Sequence, residues 1–114
     1  MNEYLFSYGT LQMDGVQLKL FGRLLNGTKD ILKVYKLSSI EIKDDSFLSK
    51  GEQKYQRIAI PSKDDNDSIE GTVFEISEEE LLFADKYEPT EYKRIKVVLQ
   101  SGKEAWIYGA GEIV

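Results

Sequence analysis

The stretch Tyr4-Leu5-Phe6-Ser7-Tyr8-Gly9-Thr10-Leu11 begins with an aromatic-rich run and stops abruptly at a glycine. A short run of this composition is typical of a buried strand. Gly9-Thr10 then predicts a tight turn, because glycine permits backbone geometry that other residues resist. Successive backbone N–H groups in such a turn can form a small anion-binding concavity. An ordinary strand-ending turn has the same sequence, so residues 8–11 alone leave both interpretations open.

The segments that follow predict a helix and then strands. Between residues 14 and 25, leucine and phenylalanine recur at helical spacing, and Asn26-Gly27 provides a left-handed stop, although alternation through the same residues also fits a strand. Residues 30–42 are rich in β-branched and aromatic side chains and predict one long or two consecutive strands. The polar stretch 43–54 predicts a loop.

The second half of the chain predicts two strands and a second helix. Residues 55–60 and 68–76 are strand-like, and we expect them to pair with each other across the polar connection between them. Ser77-Glu78-Glu79-Glu80 carries the Ser-x-x-Glu capping box of a helix, with acidic side chains that complement the helix dipole. Pro89 must end this helix, because proline removes a backbone donor.

A hairpin completes the predicted fold. Residues 92–100 and 103–108 are two strand-like runs joined at Ser101-Gly102. With mostly hairpin-like connections, the sheet is expected to be largely antiparallel and closed or strongly curled, since open edges invite aggregation. The sequence therefore predicts an α+β fold, a small, largely antiparallel β-barrel flanked by short helices. We expect residues 1–114 to form a single domain.

The composition excludes several kinds of catalytic site. The 114 residues contain no cysteine and no histidine, which excludes thiolate nucleophiles, zinc-thiolate sites and Ser-His-Asp machinery. Acid–base chemistry near neutral pH must then come from a carboxylate, a lysine or a tyrosine with a shifted pKa. The segment Asp64–Ser68 faintly resembles a calcium loop, but Ile69 stands where such loops need glycine, and we expect no metal site.

The charge distribution indicates which partners the chain can bind. The net charge is −5, and residues 58–114 hold thirteen acidic against six basic side chains. An acidic chain without a basic stripe is a poor binder of nucleic acid or anionic membranes. The residues after Met1 form no basic and apolar leader, and no apolar run is long enough to cross a bilayer. We expect a cytoplasmic protein that binds neither nucleic acid nor membrane. The sequence does not determine its oligomeric state.

Glu88 is the carboxylate in the most suggestive position. It lies at the predicted carboxyl end of the helix, between Tyr87 and Pro89. The negative end of the helix dipole and partial burial both disfavour the ionised form, so we expect a raised pKa. A carboxyl group that acts as both acid and base near neutrality requires such a pKa. The alternative is a surface glutamate at the end of a charged helix.

Two further pairs of residues near the carboxyl end combine aromatic and charged side chains. Trp106 and Tyr108 alternate with small and aliphatic neighbours, so one set is expected to enter the core while the other faces a groove or solvent. Tyr92 and Arg94 share one face of a predicted strand. Arg94 can there hold a ligand carboxylate bidentately or form a structural ion pair.

Taken together, these motifs resemble the gamma-glutamylcyclotransferase-like family. The resemblance is carried by the order of YLFSYGTL at 4–11, GTVFEI at 71–76, ADKYE at 84–88, YKR at 92–94 and AWIY at 105–108. It spans nearly the whole chain. Each motif is weak singly, whereas an N-terminal YGTL, a helix-ending YE and a YxR at this spacing form a fairly specific combination.

The resemblance implies a β-barrel with a cavity between the YGTL loop and a catalytic glutamate, which Glu88 matches. In such enzymes the free α-amine of a γ-glutamyl substrate attacks its own γ-carbonyl, which releases an amine or amino acid and leaves 5-oxoproline. The reaction uses no metal and no cofactor. By the same resemblance, the loop backbone receives the substrate's α-carboxylate or carbonyl oxygen. The implied substrate-binding residues are Tyr8, Gly9, Thr10, Leu11 and Tyr92.

Two departures from the family pattern leave alternatives open. Pro89 follows Glu88 where many relatives have glycine, and residues 29–55 offer little specific match, which leaves the leaving group undefined. The main alternative is a non-catalytic module of the same fold that binds a small anionic or amino-acid ligand. A structural or interaction domain would instead predict an exposed apolar patch. We expect the enzyme, because simple binding of an acidic ligand would favour a basic or neutral residue at position 88.

Overall fold

A computed structural model of the protein describes residues 2–110. These residues form seven strands, three α-helices and one 3-10 turn at Thr10–Gln12. The strands are β1 (Asn2–Ser7), β2 (Asn26–Lys33), β3 (Tyr35–Glu41), β4 (Tyr55–Pro61), β5 (Ser68–Ser77), β6 (Lys93–Val98) and β7 (Glu104–Gly109). The helices are α1 (Asp14–Phe21), α2 (Asp45–Leu48) and α3 (Glu78–Tyr87).

The strands form one mixed sheet in the order β2-β5-β1-β7-β4-β3, with β6 paired to β7 beside this path. The pairs β1–β5, β2–β5, β3–β4 and β6–β7 are antiparallel. The pairs β1–β7 and β4–β7 are parallel, each through one bridge, Leu5 with Trp106 and Ala59 with Gly109. The sheet curls into a half-barrel with the helices around it, so the predicted α+β class with a strongly curled, largely antiparallel sheet is confirmed.

The predicted pairing of 55–60 with 68–76 is wrong. Strand β4 pairs with β3 and β7, and β5 pairs with β1 and β2. The corner between β2 and β3 comes between them, because the Val34 N–H donates to the Asp67 carbonyl at 2.8 Å and the Ser62 N–H donates to the Val34 carbonyl at 2.9 Å. The connection 62–67 therefore leads away from β4 and across this corner, and does not close a hairpin.

The helices also differ from the sequence-based boundaries. Helix α1 ends at Gly22, which has φ 74° and supplies the left-handed cap, whereas Asn26-Gly27 begins β2. Helix α2 lies inside the stretch 43–54 that was predicted to be a loop, and Asp44 caps it by accepting from the Ser46 and Phe47 N–H groups. Residues 30–42 do form two consecutive strands, β2 and β3. None of the helices in residues 2–110 is long and apolar enough to cross a bilayer.

Both faces of the central strands are buried, because the barrel interior covers one face and the helices cover the other. Phe6 and Ile107 belong to the interior cluster, while Leu5 and Tyr108 belong to the cluster under α1 and α3. The alternation along β7 therefore separates two cores, with Ile107 fully buried and Tyr108 only 7% exposed. The expectation that one set of β7 side chains faces a groove or solvent is incomplete, since Tyr108 is buried and also lines a cavity.

Helix α3 begins with the predicted capping box and positions Glu88. The Ser77 hydroxyl accepts from the Glu80 N–H at 3.0 Å, and the Glu80 carboxylate accepts from the Ser77 N–H at 2.9 Å. The helix ends at Tyr87, and Glu88 is the C-cap residue with extended backbone, as expected before a proline. Pro89 is fully buried. The sequence of α3 thus fixes where the Glu88 side chain leaves the helix.

Candidate active site

The loop after β1 and the end of α3 meet at one cavity of about 50 Å³. That volume is above the roughly 10–15 Å³ that one water molecule needs, so the cavity has room for a small ligand group. All five residues that the family resemblance implies for substrate binding line the cavity, together with Glu88. The lining residues are Phe6, Ser7, Tyr8, Gly9, Thr10, Leu11, Phe47, Gln56, Arg57, Glu88, Pro89, Tyr92 and Tyr108.

The Tyr8 side chain is buried and its hydroxyl joins two strands. The hydroxyl donates to the Tyr108 carbonyl of β7 at 2.6 Å and accepts from the Ala59 N–H of β4 at 2.9 Å. Burial raises the pKa of this phenol, which keeps the donor proton in place. Because both hydrogen bonds are made with backbone groups, the hydroxyl stabilises the cavity wall. Tyr8 can therefore bind a ligand only through its backbone atoms.

Thr10 and Leu11 form the part of the loop that continues into the 3-10 turn. The Thr10 Oγ1 lies 3.1 Å from the Tyr87 hydroxyl, which ties the loop to the residue directly before Glu88. Within residues 2–110, no hydrogen-bond acceptor is found for the backbone N–H groups of Thr10 and Leu11. The Leu11 side chain packs into the cluster under α1 and α3. Two residues that line the cavity thus have backbone donors without an acceptor in the described part of the chain, and their side chains hold the loop in place.

Gly9 does not adopt the left-handed conformation that glycine favours. Its φ of −133° lies outside the left-handed region, and a Cβ at this position would meet nothing within 4 Å. The steep requirement for glycine comes instead at Gly71 of β5, where a Cβ would lie 2.4 Å from the Ser7 carbonyl oxygen. Gly71 therefore permits the close approach of β5 to the end of β1.

Glu88 has an unusual electrostatic environment for a carboxylate. Burial raises its pKa to about 7, the Lys50 ammonium counteracts this, and the negative charge of Glu52 adds to it. Its carboxylate makes no hydrogen bond or ion pair with residues 2–110. The raised pKa agrees with the sequence-based expectation. A carboxyl group that is half ionised near neutrality can accept and return a proton without a large energetic penalty.

The hydroxyl groups of Tyr87 and Tyr92, on either side of Glu88 in the sequence, each donate a hydrogen bond within the protein. The Tyr87 hydroxyl donates to the Glu52 carboxylate at 3.2 Å, and burial raises its pKa to about 12. The Tyr92 hydroxyl donates to the Arg57 carbonyl at 2.5 Å, and burial raises its pKa as well. Neither phenol ionises near neutrality, so Glu88 is the group among the three that can transfer protons there.

Comparison with known proteins shows which family this chain belongs to. The model of the family described as gamma-glutamyl cyclotransferase, AIG2-like, matches residues 5–112. The chain belongs to this family. No curated protein sequence matches the chain significantly. The match begins just before the 8–11 loop and continues past the last strand, so it includes every residue that lines the cavity.

Solved structures show the same fold as this family member. A solution structure of an Arabidopsis thaliana protein superposes with a TM-score of 0.70 at 17% identity, over 98% of this chain and 66% of that one. A structure titled gamma-glutamyl cyclotransferase gives 0.67 at 19% identity, over 95% and 66%. An uncharacterized Homo sapiens protein gives 0.71 at 19% identity, over 97% and 68%. This chain thus spans about two thirds of the length of these neighbours.

Arg94, the arginine of the family-like YxR motif, forms a structural ion pair. Its guanidinium binds both oxygens of Asp85 on α3, at 2.7 and 3.1 Å, and lies 4.4 Å from the centre of the Trp106 ring. The Tyr108 hydroxyl donates to the same carboxylate at 2.7 Å. Arg94 borders a shallow pocket next to the cavity without lining the cavity itself. Of the two roles left open by the sequence, the structure shows the ion pair.

We predict that Arg94→Gln lowers the free energy of unfolding by about 1–2 kcal/mol, because a half-buried bidentate pair is lost and Asp85 keeps its charge. Urea unfolding monitored by fluorescence measures the change. Lys96→Gln is the matched control, since Lys96 is exposed and lies over the same Trp106 ring at 4.4 Å but pairs with no acid in residues 2–110. Equal losses in both variants would contradict the importance of the ion pair.

The lining side chains from α2 and β4 were not predicted from the sequence: these are Phe47 from α2, and Gln56 and Arg57 from β4. Phe47 had a usable signal, since Asp44 is a good helix N-cap and an apolar pair begins three residues after it. Gln56 and Arg57 had none, because their approach to the cavity depends on the pairing of β4 with β7. Phe47 lies in the region 29–55 that resembles the family least, and Gln56 and Arg57 follow directly after it.

A second concave surface lies between α1 and α3. It is lined by apolar side chains that include Met13, Leu20 and Phe83, with lysines at its edge. Such an exposed patch is what an interaction domain would present. It does not share a residue with the cavity that contains Glu88. In residues 2–110, no group of three or more acidic side chains is arranged to hold a metal ion.

Proposed function

We propose that this chain is a gamma-glutamyl cyclotransferase that converts a γ-glutamyl amine or peptide to 5-oxoproline and the free amine, with Glu88 as general acid and base. The observation that carries the proposal is the raised pKa of Glu88, about 7, in a cavity also lined by the 8–11 loop. Membership in the AIG2-like family supports the reaction class. The reaction needs no cofactor, because the substrate supplies its own nucleophile.

Glu88 would act first as a base and then as an acid. It takes a proton from the α-ammonium group of the substrate, and the freed amine attacks the γ-carbonyl carbon, which forms the ring C–N bond. As the bond to the leaving nitrogen breaks, Glu88 returns the proton to that nitrogen. The ring nitrogen then gives its second proton to the Glu88 carboxylate, which passes it to the released amine, so that two protons in total move from the attacking to the leaving nitrogen and no water is consumed. One carboxyl group with a pKa near 7 can carry both transfers in turn.

The 8–11 loop would bind the negative charge that develops on the γ-carbonyl oxygen. The backbone N–H groups of Thr10 and Leu11 have no acceptor among the described residues and belong to residues that line the cavity. Fixed donors of this kind stabilise an oxyanion without reorganising during the reaction. Ring closure is intramolecular, so a cavity that holds the glutamyl chain curled contributes further, with effective molarities on the order of 10⁵ M or more in well-oriented cases.

The alternative is a non-catalytic module that binds a small anionic ligand in the same cavity. The partly buried carboxyl group of Glu88 favours the enzyme, because near neutrality its partial negative charge would repel an anion and weaken simple binding. A binding site would gain affinity from a neutral or basic side chain at this position. Catalysis instead requires a titratable group there.

Release of 5-oxoproline from a panel of γ-glutamyl dipeptides, γ-glutamylamines and glutathione tests the proposal. We expect product from at least one compound at micromolar enzyme concentration, and none in its absence. The compound with the highest kcat/KM would identify the class of leaving group. Saturable binding of these compounds without any product would favour the binding module.

We predict that kcat/KM falls about tenfold for each pH unit below 7, because the reaction starts from the Glu88 carboxylate and the pKa of this group is raised to about 7. Protonation below that pH removes the base, so activity rises with pH up to about 7 and then levels off. Initial rates at limiting substrate from pH 5 to 8 measure the profile. A rate that stays constant down to pH 5 would be typical of an unperturbed carboxylate and would contradict the assignment.

A further inference from the structure

The three arginines of this chain differ in how their charge is compensated. Arg23 makes a bidentate contact with Glu80, and Arg94 makes one with Asp85. Arg57 has no acidic partner among residues 2–110. A guanidinium group satisfies its geometry best with a carboxylate or a phosphate, to which it can donate two parallel hydrogen bonds. In a chain with an excess of acidic side chains, an arginine that lacks such a partner is notable.

Arg57 also occupies a particular place in the fold. It lines the cavity that contains Glu88 and, at the same time, an open pocket next to it, which puts the side chain at the boundary between the two. It is the one lysine or arginine among the described lining residues of the cavity. Its Nη2 donates to the Tyr8 carbonyl at 3.4 Å, a long contact that leaves most of its donors available.

The backbone around Arg57 is held firmly although its side chain is exposed. Its carbonyl accepts from the Tyr92 hydroxyl at 2.5 Å, and β3 pairs with this strand at Ser39. The neighbouring residues Ile58 and Ala59 are buried. The Cα–Cβ bond of Arg57 is therefore fixed relative to the 8–11 loop. Binding a ligand then costs conformational entropy only in the side chain.

We propose that Arg57 binds a carboxylate of the ligand at the mouth of the cavity and makes the site selective for anionic substrates. The proposal rests on the proposed function for the identity of the ligand. A γ-glutamyl compound carries an α-carboxylate, and a γ-glutamyl amino acid or peptide carries a second one on its leaving group. Each of these carboxylates can serve as the acidic partner that Arg57 does not have among residues 2–110. The positive charge of Arg57 also offsets the repulsion between such an anion and Glu88.

Binding measured by calorimetry tests this in a protein expected to turn its ligand over at least about a hundredfold more slowly than the wild type. The background is Glu88→Gln, to which Arg57→Gln or Arg57→Lys is added. The three ligands are a γ-glutamyl dipeptide, a γ-glutamylamine with a free α-carboxylate, and the same amine with its α-carboxylate converted to an amide. Lys36→Gln is the matched control, because it removes one positive charge from exposed β3 without touching the cavity.

We expect Arg57→Gln to raise Kd at least about tenfold for the dipeptide, while Lys36→Gln changes it less than about twofold. Arg57→Lys should fall between them, since lysine keeps the charge and loses the paired donors. If the α-carboxylate is the partner, the γ-glutamylamine loses affinity equally and its amide is insensitive to Arg57. If the leaving-group carboxylate is the partner, the effect is confined to the dipeptide.

A Kd for the dipeptide that is unchanged by Arg57→Gln would overturn the proposal, and so would the absence of any binding to the Glu88→Gln protein. These results are independent of turnover. A wild-type protein that binds the dipeptide through Arg57 but releases no 5-oxoproline would contradict the cyclotransferase alone. A protein that releases 5-oxoproline with the same KM in wild type and Arg57→Gln would contradict the role of Arg57 alone.

Discussion

Glu88→Gln is expected to lower kcat for 5-oxoproline release at least about a hundredfold, the usual contribution of a general acid–base group. Glutamine keeps the size of the side chain and cannot exchange a proton near neutrality. Since the Glu88 carboxylate makes no hydrogen bond or ion pair with residues 2–110, the replacement breaks no described contact. Burial raises the pKa of the carboxyl group, which shows that the charged form is disfavoured in the fold. The variant should therefore fold at least as well as the wild type above pH 7.

Turnover and stability of Glu88→Gln must be measured on the same preparation. Continuous detection of 5-oxoproline with the best substrate of the panel gives kcat, and urea unfolding at pH 8 gives the free energy of unfolding. Glu79→Gln is the control, because Glu79 is an exposed glutamate in the first turn of the same helix. It should keep kcat within about twofold, as surface substitutions usually do. A Glu88→Gln protein with wild-type kcat would exclude this residue as the acid and base.

Strand β1 and helix α3 were predicted correctly from local sequence signals. The capping box at Ser77 and the proline at position 89 fix both ends of α3 within the chain itself, so they place Glu88 without tertiary information. The aromatic run before Gly9 likewise gave β1. The pairing of β4 could not be predicted, because it depends on the corner at Val34, which brings residues distant in sequence between β4 and β5.

The candidate site divides along the same line. The 8–11 loop and Glu88 were predicted from short motifs and from the family resemblance that these motifs carry, and the structure brings them to one cavity. Arg57 was missed because an arginine in a polar, strand-like run is ordinary until its partners are known. In the fold, Glu80 and Asp85 pair with Arg23 and Arg94, and no acidic side chain of residues 2–110 lies within ion-pair distance of Arg57. Compensation of charge is a tertiary property, and a sequence pattern does not contain it.

Tyr8→Phe is expected to lower the free energy of unfolding by about 3 kcal/mol. Its hydroxyl satisfies the Tyr108 carbonyl and the Ala59 N–H, both on buried residues. Strands β4 and β7 pair through a single bridge between Ala59 and Gly109, so the tyrosine supplies the connection that a longer ladder would provide. Phenylalanine fills nearly the same space and leaves two buried backbone groups unpaired, each at a cost of about 1–3 kcal/mol.

The comparison of Tyr8→Phe with Tyr4→Phe separates this role from the loss of a hydroxyl in general. Tyr4 also lies on β1 and packs partly buried against the interior core, but its hydroxyl has no hydrogen-bond partner in residues 2–110. Tyr4→Phe should change the urea midpoint little, while Tyr8→Phe shifts it strongly with an unchanged m-value. Similar midpoints for both variants would show that water replaces the Tyr8 hydroxyl at the junction of β4 and β7. The cavity wall would then owe its shape to side-chain packing around Phe6 and Ile107, and not to this pair of hydrogen bonds.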